Sequence, residues 1–242
     1  MQSIGKSLKS AYKICDPTAE SSTITDLHEL MLKVNFDDIS KCERGIYLHN
    51  YHKAYATLFS DKREEVKNVL EIGIWSGLGL LMWTHYFPNC IVDGIDWKFK
   101  WERKIKRLGF DSNRERIFLN WADTSCAEEV YEHFIKPHYD DYFDVIFDDG
   151  NHFGSVQKAT LINLWPMLKV GGTYVIEDIN DEYENPVKLI DYVNVLSERG
   201  HKVGWYEYPS KPPPPEDGRR ARPDLGSRLI SITKGDNGEK NE

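Results

Sequence analysis

The sequence predicts an α/β protein: a mostly parallel sheet with helices on both faces and a helical layer ahead of it. Three observations carry that prediction. From residue 68 onward, short β-branched runs alternate with longer stretches of helical period, the pattern of a parallel sheet covered by helices. The first run ends in a glycine-bearing turn, and the fourth and fifth end in acidic pairs, where a parallel sheet presents its carboxyl ends to a ligand. Finally, 242 residues that are 40% hydrophobic and 29% charged suffice for one domain with a proper core and leave little room for two. That composition excludes disordered, collagen-like and disulfide-scaffold chains.

Taken in order, the strands fall at 68–73 (NVLEIG), 90–95 (CIVDGI), 115–119 (ERIFL), 143–147 (FDVIF) and 172–177 (GTYVIE), with the second and third the weaker patterns. Helices are predicted near 78–87, 98–108, 126–136, 153–168 and 184–199. Two further extended segments, HKVGWYEY (201–208) and SRLISIT (227–233), make seven strands and suit an antiparallel edge. The Pro-rich stretch KPPPPEDGRRARPDLG (211–226) separates them and is read as a loop over one end of the sheet. Residues 1–66 lack the alternation. Their amphipathic pieces TDLHELMLKV (25–34) and HNYHKAYATLF (49–59) read as an N-terminal helical segment packed on a core of residues 67–234, with 235–242 a disordered tail.

Charge narrows the partners. Thirty-nine acidic against 31 basic side chains leave −8. With no long Lys/Arg run, this counts against a sequence-independent grip on nucleic-acid phosphates. Arg219, Arg220 and Arg222 form the one tight arginine cluster and read as a solvated or substrate-covering loop. Cys15, Cys42, Cys90 and Cys126 lie 27, 48 and 36 residues apart, so no CxxC pair exists and the thiols read as reduced. The start MQSIGKSLKS has no signal-peptide core. The most apolar stretch, IGIWSGLGLLMW, is about half the ~20 residues of a membrane span. A soluble, cytoplasmic chain with no membrane span is expected, its oligomeric state open.

The chemistry is expected just past the strand ends. After the first strand comes EIGIWSGLG, in which glycines let the backbone turn and approach a ligand, although the spacing Gly73, Gly77, Gly79 is not the GxGxxG fingerprint. After the second stands Asp96, 23 residues beyond Gly73, fitted either to accept ribose hydroxyls or to cap the next helix. VIFDDGNH and YVIED then put Asp148–Asp149 and Glu177–Asp178 after two apolar strands. If those strands are neighbours, ~4.8 Å apart, up to four carboxylates converge, and each raises the next one's pKa. A divalent cation relieves this, and hard oxygen donors suit Mg²⁺ or Mn²⁺. The plainer reading has Asp149 and Asp178 capping helices and Glu177 facing water. His152, three residues past Asp149, is placed to take a proton from an acceptor hydroxyl. His49, Tyr51 and Tyr55, at near-helical spacing, suit either a polar aromatic pocket for a sugar or simple packing on the sheet.

With these residues in view, the chain resembles the class I S-adenosylmethionine-dependent methyltransferases. Within them it is most similar to the metal-dependent O-methyltransferases of macrolide deoxysugars. The resemblance covers about residues 37–180, on HNYHKAY, VLEIGIWSGLGLLMW, FPNCIVDGIDW, FDVIFDDGNH and LKVGGTYVIEDI. It implies a Rossmann-like class I methyltransferase fold. It also implies Asp149, Glu177 and Asp178 as ligands of Mg²⁺ or Mn²⁺, with His152 as the base. The first-strand segment (Glu71, Gly73, Trp75, Ser76, Gly77) would hold the methionine part of S-adenosylmethionine and Asp96 its ribose, with Trp97, Asp123 and Asp148 beside the cofactor. Trp75 stands where many methyltransferases carry a second close glycine, and NWADTS gives the adenine-contacting acid no clean register. The implied acceptor is a sugar hydroxyl, such as that of rhamnose, in a glycan or glycoside. A catechol or caffeoyl-type methyltransferase, a hydroxylase-annotated branch of the same fold and a non-catalytic cofactor-fold binder stand as alternatives.

Overall fold

In the computed structural model of the chain, the described residues are 51–75, 77–97, 115–135, 140–179, 186–208 and 227–236. The helices expected at 25–34 and 98–108, the 211–226 loop, His49 and Ser76 lie outside them. The elements run α1 (Tyr51–Phe59), β1 (Asn68–Ile72), α2 (Leu78–Tyr86), β2 (Ile91–Asp96), β3 (Ile117–Trp121), α3 (Ala127–Val130), β4 (Phe143–Asp148), α4 (Gly154–Leu164), β5 (Leu168–Ile176), α5 (Val187–Glu198), β6 (Lys202–Tyr208) and β7 (Ser227–Thr233).

One seven-stranded sheet has the order β3-β2-β1-β4-β5-β7-β6. β1 to β5 are mutually parallel, and β7 runs antiparallel to both β5 and β6, as the edge pairing predicts. Alternation along the central strands builds two cores. Val69, Val145, Phe147 and Val175 face α1 and α2, while Leu70, Ile72, Ile146 and Ile176 face α4 and α5. Burying both faces is why these strands read as apolar runs. On the first face, Trp83 of α2 stacks on Phe147 at 3.9 Å between ring centroids, and Tyr55 and Phe59 of α1 meet Phe147 edge-on.

Three boundaries differ from expectation. The helix predicted over 153–168 stops at Leu164 and tightens into a 3₁₀ turn, Trp165–Met167, because Pro166 cannot continue the ladder. β5 then starts at Leu168 rather than 172. Between the pairs Phe143–Leu168 and Val145–Thr173 it bulges, with Gly171 at φ +81° and Lys234 exchanging backbone bonds with Gly171 and Gly172. The segment predicted as a helix over 126–136 is a single α turn followed by a π turn over Tyr131–Ile135. Among the described residues no helix is long and apolar enough to cross a membrane.

Candidate active site

The winding reverses between β1 and β4, so the loops leaving these two strands open the crevice where an α/β sheet binds its ligands. They touch backbone to backbone. Asp149 N–H donates to the Ile72 carbonyl at 3.0 Å, and Glu177 N–H to that of Asp148 at 3.0 Å. Gly73 adopts φ +90°, and a Cβ there would lie 2.2 Å from the Asp149 carbonyl oxygen, so only glycine permits this approach.

On the cofactor side, Asp96 Oδ2 accepts the backbone N–H groups of Ile74 (3.1 Å) and Trp75 (3.3 Å), bracing the β1 loop. Trp75, at φ +41°, and Trp97 are both exposed at the rim of this edge. Trp121, which sequence reasoning passed over, is paired with Asp96 across β2 and β3 and is exposed as well. Below them Glu71 is buried with Oε2 lacking a hydrogen-bond partner, and Gly79 leaves the room its carboxylate occupies. Burial, then the charge of Asp149, pushes Glu71 well above the carboxylate range. Asp123, expected at the adenine, spends Oδ1 on the backbone N–H and hydroxyl of Ser125, a local turn at the end of β3.

The two acidic pairs divide. Asp148 turns to the α4–α5 face, where its carboxylate accepts from Gly150 N–H and the Tyr174 hydroxyl, both at 3.3 Å; burial raises its pKa to about 7 despite these bonds. Asp149 and Asp178 converge instead with His152. Each of the three offers a ligand atom, all within 4.8 Å of one another. His152 Nδ1 stands 3.1 Å from Asp178 Oδ2, and its Nε2 stands 3.7 Å from Asp149 Oδ1. Neither acid caps a described helix, since α4 and α5 take Phe153 and Pro186 at that position. Glu177 lies buried beside the trio, its Oε1 accepting the Tyr55 hydroxyl. Tyr51 is likewise buried and donates to Asp178 Oδ1 at 2.6 Å. These two tyrosines, expected either in a pocket or packed on the sheet, pack on the sheet and bond the acidic pair. Gln157, unremarked in the sequence, holds the Glu177 carbonyl at 2.9 Å. The available signal was a polar residue on the face of α4 that buries Thr160, Leu161 and Leu164.

Acidic groups crowd one another at the ends of β4 and β5. Desolvation, then the charges of Glu177 and Asp178, lifts Asp149 well above its usual range, and burial does the same to Glu177. Burial depresses the His152 imidazolium, but its bond to Asp178 and the neighbouring acids outweigh that and leave its pKa raised. Hard oxygen donors on Asp149 and Asp178, with the carboxylate of Glu177 close enough to raise Asp149, fit Mg²⁺ or Mn²⁺. A pH-dependent result follows. Carboxyl groups raised in the fold contribute stability that is complete below their unfolded pKa and is lost as pH climbs through the folded one. For Asp148 that window runs from the ordinary carboxylate range up to about 7. Asp149 and Glu177 are raised as well, and a bound Mn²⁺ would compete with their protons, so its thermal stabilisation, read by calorimetry, is expected to be larger at about pH 8 than at about pH 5. A shift independent of pH would contradict this.

The fold is the Rossmann-like fold of class I methyltransferases. Residues 70–179 match the family model described as a methyltransferase domain. The chain is 31% identical over 143 residues to demethylmacrocin O-methyltransferase of Streptomyces fradiae, covering 56% of this chain and 33% of that protein. It is 27% identical over 143 residues to the 8-demethyl-8-alpha-L-rhamnosyl tetracenomycin-C 2'-O-methyltransferase of Streptomyces olivaceus, covering 56% and 35%. It thus spans about a third of the length of these curated relatives. Among solved structures, the MycE methyltransferase of the mycinamycin pathway, in complex with Mg, SAH and mycinamycin VI, superposes with a TM-score of 0.59 at 23% identity, over 90% of this chain and 56% of that one, a likeness of fold. Over residues 70–179 the chain thus matches a methyltransferase domain, and over somewhat more than half its length it is similar to O-methyltransferases such as those of demethylmacrocin and of a rhamnosyl tetracenomycin.

Proposed function

We propose that this chain transfers the methyl group of S-adenosylmethionine to a sugar hydroxyl in a reaction that needs Mg²⁺ or Mn²⁺. The acceptor is a deoxyhexose such as rhamnose, in a glycan or glycoside. The observation that carries this reading is the convergence of Asp149, His152 and Asp178 at the ends of β4 and β5, beside the β1 loop. The similarity to a rhamnosyl-tetracenomycin O-methyltransferase supports the acceptor class.

Asp149 and Asp178, with Glu177 at their side, would hold the cation. When bound, it supplies Lewis acidity that lowers the pKa of an alcohol and orients it. The β1 loop and Asp96 would seat the cofactor with its sulfonium methyl toward that alcohol, an alignment that removes much of the entropic barrier. As the oxygen–methyl bond forms and the sulfur–methyl bond breaks, His152 takes the hydroxyl proton. Nδ1 donates to Asp178, so Nε2 is the atom left to accept.

The test is methyl transfer from labelled cofactor, with Mn²⁺ or Mg²⁺, to a panel of free and linked deoxyhexoses and a catechol, read by mass spectrometry. A methylated sugar is expected, lost on chelation and in Asp149→Ala. Transfer surviving both would remove the metal from the reaction, and transfer to the catechol alone would replace the acceptor class.

A further inference from the structure

Asp178 occupies the left-handed region at φ +52°, which a non-glycine residue holds only when its surroundings over-determine it. One hydroxyl supplies much of that determination. Tyr51 Oη accepts the Asp178 backbone N–H at 3.1 Å, donates to Asp178 Oδ1 at 2.6 Å, and lies 3.2 Å from the Arg228 carbonyl oxygen. It therefore fixes the backbone turn and the carboxylate rotamer of the same residue. The other carboxylate oxygen, Oδ2, faces His152 Nδ1. One turn along α1, the Tyr55 hydroxyl is bonded to Glu177 Oε1. Neither tyrosine can drift. Tyr55 is wedged edge-on against Trp83 at 5.3 Å and Phe147 at 5.4 Å, and Tyr51 meets the Tyr55 ring edge-on at 6.4 Å.

We propose that Tyr51 and Tyr55 are positioning residues: α1, lying outside the sheet, locks the acidic pair at the end of β5 into the geometry that binds a divalent cation and orients His152. The inference rests on the metal-dependent reading above and adds to it a role for a helix that carries no ligand. Groups that orient ligands in this way typically govern metal affinity or activity by about 10- to 100-fold.

The test compares the full chain with its Tyr51→Phe and Tyr55→Phe variants. Mn²⁺ affinity is read by titration calorimetry, S-adenosylmethionine affinity in the same instrument, and then kcat and KM for the acceptor sugar identified in the methyl-transfer test. About a tenfold loss or more of Mn²⁺ affinity in Tyr51→Phe is expected, with a fall in kcat and cofactor affinity unchanged, the last showing that the fold is intact. Wild-type Mn²⁺ affinity together with wild-type kcat in Tyr51→Phe would overturn the proposal. Should that variant fail to fold, Tyr55→Phe is judged by the same criterion. A wild-type chain that itself neither binds Mn²⁺ nor transfers methyl would sink the functional reading first, so the two failures are separable.

Discussion

Replacing His152 by alanine is expected to lower kcat for methyl transfer by about 10²–10⁴-fold, the usual contribution of a positioned general base, while S-adenosylmethionine and Mn²⁺ still bind. The expectation comes from the geometry of a single side chain. Asp178 holds Nδ1 at 3.1 Å, and Nε2 stands 3.7 Å from Asp149 Oδ1, toward the point where the acceptor hydroxyl would lie. A neutral imidazole so held has one site for a proton and one direction in which to take it. Its partly exposed position makes the alanine variant tolerable to the fold, and free imidazole added to that variant is expected to restore part of the rate. Near-normal turnover by His152→Ala would rule the residue out as the base, whatever the status of the cation.

Gly73→Ala is expected to cost about 2–5 kcal/mol of stability and to abolish cofactor binding. Two penalties add: about 1–2 kcal/mol for placing a side chain in the left-handed region and about 1–3 kcal/mol for overpacking. The overpacking is severe because the new methyl meets backbone, at 2.2 Å from the Asp149 carbonyl oxygen, and backbone held by the Ile72 and Ile95 hydrogen bonds cannot swing aside. Moving Asp149 would also move the cation site, so methyl transfer should fall with binding. Urea unfolding and cofactor titration together check this; a variant as stable as wild type that binds cofactor normally would show that the loop yields. By contrast, Gly171→Ala meets no atom within 4 Å and carries only the conformational penalty, which makes it the natural control.

Much of this was legible in the sequence because the signals were local. NVLEIG, FDVIFDDGNH and TYVIED each contain a strand and the acids that end it, and a strand buried on both faces writes itself as an apolar run. The antiparallel edge of β6 and β7 was equally readable from its two extended segments. What misled was punctuation inside elements. Pro166 cut α4 short, and the Lys234 contact drew Leu168–Gly172 into β5 as a bulge, a bond to a residue more than sixty positions away that no window of sequence contains. At the site, residue type alone did not separate Asp148 from Asp149, and only the resemblance assigned the cation to Asp149; successive residues at a strand end face opposite ways. Asp148 went to Tyr174, and Asp149 to His152 and Asp178.

The sequence by itself determined the parallel sheet, the order of its strands along the chain, and which strand ends carry carboxylates, histidine and glycines, since all of these depend on residue type and short-range period. Only the tertiary structure decided that α1 would drop two tyrosine hydroxyls onto Glu177 and Asp178, across 122 and 127 residues of chain. The physical reason is that the direction of a side chain past a strand end is set by its partners, and here the partners arrive from a helix docked by aromatic packing.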